Sequence, residues 1–280
     1  MAYDKFKPNV MAKAIEKERE RVAVFVQDCN RKYEGVVKNI GDSVTIKGAG
    51  KVQTVTTSDG KDILLSDPKP IEGTNAIITI RHQTAFNFYV SDVNQAQGVK
   101  DALSVYQEQA ARQIANEQDK LIAGMATDPL AMILNTTVPQ ATAYNALGYI
   151  DEAVTKLYEN DIPATEELIF VVSPRFYQLI RQNLDSIDTD NSQLLKTGVL
   201  AMYNGVKIKM SNNVATANSG ATDLMMLRTK QAIAFANPLT KIEAKRANNY
   251  IADEVRGVSL YDAKLIRPKE MVVVNVKYTA

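Results

Sequence analysis

From Asn94 to Met125 the chain contains no proline, and glycine only at positions 98 and 124, one near each end. Val99, Leu103, Tyr106, Ala110, Ile114, Leu121 and Met125 recur at helical steps, while Lys100, Gln107, Glu108, Arg112, Glu117 and Lys120 fall elsewhere around the wheel. That periodicity predicts one helix with a face meant for burial. At 1.5 Å per residue, about thirty residues make a helix about 45 Å long, the span of a whole small domain. Asp128-Pro129 ends it, because the residue before proline is pushed out of helical geometry. The rest of the fold must be arranged along this rod.

A chain of 280 residues has material for one large domain or two intimately joined ones. Lys plus Arg number 33 and Asp plus Glu 32, so no bulk field drives the protein onto nucleic acid or an anionic membrane. No secretory signal is visible in MAYDKFKPNVMAK, and the longest uncharged stretch, Pro129 to Ile150, is too rich in Asn, Gln and Thr to cross a bilayer. Cys29 is the single cysteine, which excludes an internal disulfide and fits a reducing compartment. With one histidine and no tryptophan, metal centres built on Cys and His are excluded, and no cofactor site is expected; carboxylate, lysine or serine chemistry is what remains.

Residues 8 to 28 carry Val10, Ile15, Val22, Phe25 and Val26 among the alternating charges Glu16 to Arg21, and read as an amphipathic arm helix with a solvated charged face. Cys29 closes its apolar side as a small buried residue. From Tyr33 to His82 the period changes to two: Val44 to Ile46, Val52 to Thr56, Asp62 to Leu65 and Ala76 to Ile80 read as strands. Asp59-Gly60 between them is a strong hairpin signal. This long excursion is poor in large apolar side chains and cannot bury itself alone, so it packs either on its own protomer or on a neighbouring subunit. Its turn residues Gly48, Gly50, Lys51, Ser58, Asp59, Gly60 and Lys61 are the candidate interface. GAGK at Gly48 to Lys51 is no phosphate loop, since Thr45 stands where the first glycine is needed and Val52 where Ser or Thr should follow.

Arg81 to Gln95 leads into the long helix, with Ser91 or Asp92 as its N-cap; His82 lacks a second histidine and reads as structural. Beyond a polar connection at residues 129 to 145, Leu147 to Asn160 predicts a second amphipathic helix. Leu168 to Val172 predicts a buried strand, and Ser173-Pro174 caps the helix that follows. Asn204-Gly205 turns a hairpin into the lysine-bearing strand VKIKMS. Leu224 to Arg228 and Ala232 to Ala236 are short strands, or a strand and its continuation. Lys241 to Tyr261 leans to β-structure with Gly257 as a turn, and Met271 to Val276 closes the chain as a buried strand.

Four stretches carry a resemblance. LIFVVSPRFYQLI (Leu168 to Ile180), GVLAMYNGVKIKMSNNV (Gly198 to Val214), RTKQAIAFANPLTKIEAKR (Arg228 to Arg246) and VRGVSLYDAKLIRPKEMVVV (Val255 to Val274) are similar, in order and spacing, to the major capsid proteins of tailed bacteriophages, whose fold is shared with encapsulins. The resemblance implies an α+β fold with an N-terminal arm (1–37), an extended loop (38–82), a peripheral domain on a long spine helix (83–126 and 238–264) and an α/β axial domain (127–237 and 265–280). It implies a non-enzymatic structural subunit that self-assembles, as pentamers and hexamers, into an icosahedral virion shell in the bacterial cytoplasm. The implied partners are the protein itself, a separate scaffolding protein (no long scaffolding segment precedes the arm), a portal protein and non-specifically held double-stranded DNA, with no membrane. An encapsulin-like compartment is the alternative within this class. An α/β hydrolase using Asp151, Glu152 or Asp161 is the rival outside it, and no paired-acid or nucleophile motif supports it.

Overall fold

The computed structural model describes residues 23–34, 39–47, 75–91, 102–134, 138–142, 144–185, 202–246 and 252–278. The alternation in SVTIK and NAIIT produces two strands, β1 (Ser43–Lys47) and β2 (Asn75–Thr79), paired antiparallel from Ser43 opposite Thr79 to Lys47 opposite Asn75. Next comes β3 (His82–Ser91), which pairs with β11 (Ala252–Leu265), itself paired with β10 (Ile233–Arg246). These last three make an antiparallel sheet in the order β10-β11-β3. One face meets the long helix α1 (Ala102–Gly124) through Phe86, Phe88, Ile242 and Val255 against Ala111 and Ile114. Part of the other is covered by the β1-β2 ladder, where Val44, Ile46 and Ile78 meet Ala234, Ala236, Val258 and Leu260.

The second sheet has seven strands in the order β4-β12-β9-β5-β7-β6, with β8 on β9. They are β4 (Met132–Ile133), β5 (Leu168–Val172), β6 (Met202–Tyr203), β7 (Val206–Met210), β8 (Ala215–Ala217), β9 (Thr222–Thr229) and β12 (Met271–Lys277). All five residues of β5 are buried, which explains its unbroken apolar sequence. It runs parallel to β7 and antiparallel to β9. Helices α2 (Ala146–Tyr158) and α3 (Pro174–Asp185) complete the layer, contributing Leu147, Ile150, Val154, Leu157, Phe176 and Ile180 to the main core. Asn204 and Gly205 both take positive φ, 47° and 77°, so β6 and β7 are joined by the tight turn that Asn-Gly favours. No helix among the described residues is long and apolar enough to cross a membrane.

Several expectations are corrected here. The long helix is described over 23 residues, about 35 Å; the expected start at Asn94 lies outside the described residues, and Met125–Thr127 tightens into a 3-10 turn. Its buried stripe is displaced from the expected one. Ala110 and Ile114 are buried, but Leu121 and Met125 only half so and Tyr106 is exposed; Ala111, Ala115, Gln118, Asp119, Ile122 and Ala123 lie at the centre. Small side chains let the sheet come close; Asp119 accepts from three backbone amides, and Gln118 donates to Ser259 Oγ at 3.3 Å while its own Oε1 has no partner among the described residues. Ser91 is no cap, being paired with Ala252 at the end of β3. Within residues 23–28 the expected arm helix is replaced by a non-helical segment ending in a 3-10 turn at Val26–Asp28. The connection after Pro129 contains β4, too short to show a period.

Gly257 is no turn either. It sits mid-strand in β11 opposite Phe86 of β3, and a Cβ there would lie 2.1 Å from Phe86 Cε1. The ring lies where a side chain would be, so glycine is required by contact. Gly257→Ala should lower stability by about 1–3 kcal/mol, since overpacking displaces the ring from α1. Denaturant titration checks this, and combining it with Phe86→Leu should recover most of the loss.

Candidate subunit interface

β1 and β2, on either side of residues 48–74, form a two-stranded stem seated on the body. Ile46 and Ile78 are buried on the side facing Ala234, while Ile77, on the opposite side, is 54% exposed. The period-two pattern thus fixes one face of the stem to the protomer and leaves the other open. Gly41 N–H donates to Ile80 O at 3.1 Å and Ile80 N–H to Asp42 O at 3.1 Å, closing the ladder at its base. The candidate residues Gly48, Gly50, Lys51, Ser58, Asp59, Gly60 and Lys61 lie outside the described residues, as do the strands expected at Val52 to Thr56 and Asp62 to Leu65.

A second feature, not anticipated from sequence, fastens the segment that follows the N-terminal residues. Two buried charges hold residues 24 to 29, one through their N–H groups and the other through their carbonyls. The Asp119 carboxylate of α1 accepts from the backbone N–H groups of Val24 (2.8 Å), Phe25 (3.0 Å) and Val26 (3.3 Å). Arg228 of β9, fully buried, donates to the carbonyls of Phe25 (3.0 Å) and Asp28, and lies 3.7 Å from Cys29 Sγ. Burial pushes the Asp119 carboxyl above its usual range, while the three amides and Arg228 pull it back. Lys209 pairs with Asp28 at 2.5 Å, and Asn30 exchanges backbone bonds with β10, its N–H to Ile233 O and its C=O from Phe235 N–H. The N–H groups of residues 24 to 26 and the carbonyls of Phe25 and Asp28 are thereby matched to buried charges of the body, while Asp28 and Cys29 N–H bond within the segment, to Phe25 and Val26 carbonyls.

The residues considered for chemistry do structural work. Cys29 is buried, its thiol pushed up by desolvation, and donates to Phe25 O at 3.2 Å. Thiol reagents should leave it unmodified in the native protein and label it stoichiometrically after unfolding, and Cys29→Ser should still assemble; rapid native labelling would contradict this burial. His82 stacks on Tyr261, with Nδ1 3.5 Å from Asp262 Oδ2. Ser173 Oγ accepts from Phe176 N–H at 3.3 Å, capping α3 as expected, and bonds the Tyr278 hydroxyl at 2.9 Å. Asp151 accepts from Tyr203 and Asn204, docking the β6-β7 turn onto α2. Among the described residues no cluster of three His, Cys, Asp or Glu side chains could hold a metal ion.

No protein-family model matches the chain, and no curated protein matches it. Solved structures do. A structure of Mycobacterium phage Che8 aligns over 90% of both chains with a TM-score of 0.73 and 25% identity. The capsid of the cyanophage P-SCSP1u aligns over 92% of this chain and 89% of its own, with a TM-score of 0.69 and 17% identity. The chain has the phage major-capsid fold. A virus-like particle from Pyrococcus furiosus also matches, over 94% of this chain and 97% of its own, at a TM-score of 0.60 and 10% identity.

Proposed function

We propose that the chain is the major capsid protein of a tailed bacteriophage, a structural, non-catalytic subunit that closes into an icosahedral shell of pentamers and hexamers around double-stranded DNA. The observation that carries this reading is the similarity, over nine-tenths of its length, to phage capsid structures. In this reading residues 1–37 are the arm, 38–82 the extended loop, 83–126 and 238–264, with α1 and most of the three-stranded sheet, the peripheral domain, and 127–237 and 265–280, with the seven-stranded sheet, α2 and α3, the axial domain. The hairpin stem supports it physically: its rooted face ties it to one protomer, and its open face, with Ile77, is covered by another. A near-neutral charge suits close packing of many copies. A separate scaffolding protein and a portal protein assist assembly in the host cytoplasm, and DNA is held by confinement without sequence readout.

A second reading, a protein compartment without DNA, is favoured by the match to the Pyrococcus furiosus particle. Purification from cells that also express the neighbouring phage genes separates them. Closed particles holding nuclease-resistant double-stranded DNA are expected; uniform particles that never hold DNA and enclose a protein cargo would select the compartment.

A further inference from the structure

Soluble proteins keep sheet edges from pairing with other chains by making them short, bulged, proline-bearing or charged. Besides the three-residue β8, which pairs only with β9, the two larger sheets have four edges, and three of them use these devices. β4 and β6 are two residues long each. β10 has a bulge between Ala236 and Leu239, Pro238 inside it, and Lys241, Lys245 and Arg246 along it. The fourth edge, β3, has none of them. Its ten residues, HQTAFNFYVS, include no Lys, Arg, Asp, Glu, Pro or Gly, and its ladder with β11 runs from His82 to Ser91 without a register shift. Phe86 and Phe88 anchor it by packing on the α1 side. Among the described residues no strand pairs with its outer side.

We propose that β3 is a strand-addition site for a second copy of this chain, a contact that rests on the shell reading above. In an antiparallel ladder alternate residues turn their N–H and C=O outward, so a ten-residue edge offers about five of each to an incoming strand. The edge is also continuous with the hairpin, since β2 ends at Thr79 and β3 begins at His82. A neighbour that covers the open face of the stem is thereby brought to the start of β3. A long uncharged edge is an aggregation hazard on a free protein, and in a shell the regular placement of neighbours converts it into a specific contact.

Hydrogen–deuterium exchange over residues 82–91 tests the contact in the full-length protein, comparing free subunits with particles assembled from this chain alone. The alternate, outward amides are expected to exchange at least tenfold more slowly in particles. Exchange that is equally fast in both, that is already slow in the free subunit, or that slows only when another protein is present, would overturn the proposal. Independently, Gln83→Lys with Ala85→Lys adds charge at two exposed edge positions. This variant should keep the wild-type circular dichroism and lose at least tenfold in particle yield; wild-type yield would also overturn it. A chain that folds yet forms no particle under any condition refutes the shell reading itself, which the exchange data on particles do not.

Discussion

Joining Lys47 to Asn75 through a two-residue Asn-Gly turn should abolish closed particles while leaving the protomer folded. Lys47 and Asn75 face one another in the last rung of the β1-β2 ladder, so a two-residue turn closes the stem without strain. The apolar contacts of the stem, Val44, Ile46 and Ile78 on Ala234 and Ala236, are all retained. Circular dichroism and the thermal midpoint should therefore stay close to wild type, while shells vanish from sucrose gradients and micrographs even with scaffolding protein present. Shells of normal yield would show that the excursion makes no essential contact between subunits. A collapsed monomer would place it in the core of its own protomer.

Arg228→Met should destabilise the protomer by about 3–5 kcal/mol, the usual cost of breaking a buried charged network by removing one member. The Phe25 and Asp28 carbonyls lose their donor, and Asp119 loses a compensating positive charge within a buried site. For a chain of this size the thermal midpoint should fall by about 10 °C. Because the lost bonds hold residues 24 to 29, trypsin should cut at Arg31 or Lys32 well below the unfolding transition, whereas in wild type the two events should coincide. An unchanged midpoint and cleavage pattern would mean that Asp119 and the Asn30 stitches anchor the segment without Arg228.

The two features were unequally visible in the sequence. β5, α2, α3, the Asn-Gly hairpin and β12 lie where the pattern of apolar residues and turn signals puts them, because each is a short element whose burial depends on its own local period. The full length of β3 is hard to read from sequence because its inward positions include Thr84 as well as Phe86 and Phe88, which blurs the alternation. Gly257 suggested a turn because its true reason, the ring of Phe86, lies on a strand distant in sequence. Asp119 and Arg228 were the hardest to see. Asp119 stands beside Lys120 in a charge-rich helix and looks solvated, and only its partners 93 to 95 residues away explain its burial. Arg228 gave one usable hint: a charge closing the apolar run Leu224 to Leu227, on a strand flanked on both sides by others, must be matched in the interior.

Electron cryomicroscopy of the purified full-length protein tests the central claim most directly. The account predicts closed icosahedral particles of pentamers and hexamers, with α1 and the three-stranded sheet lying along the shell and the arm and hairpin of each subunit resting on its neighbours. A well-folded protein that stays monomeric or forms only small open oligomers, at every concentration and with scaffolding protein added, would contradict it.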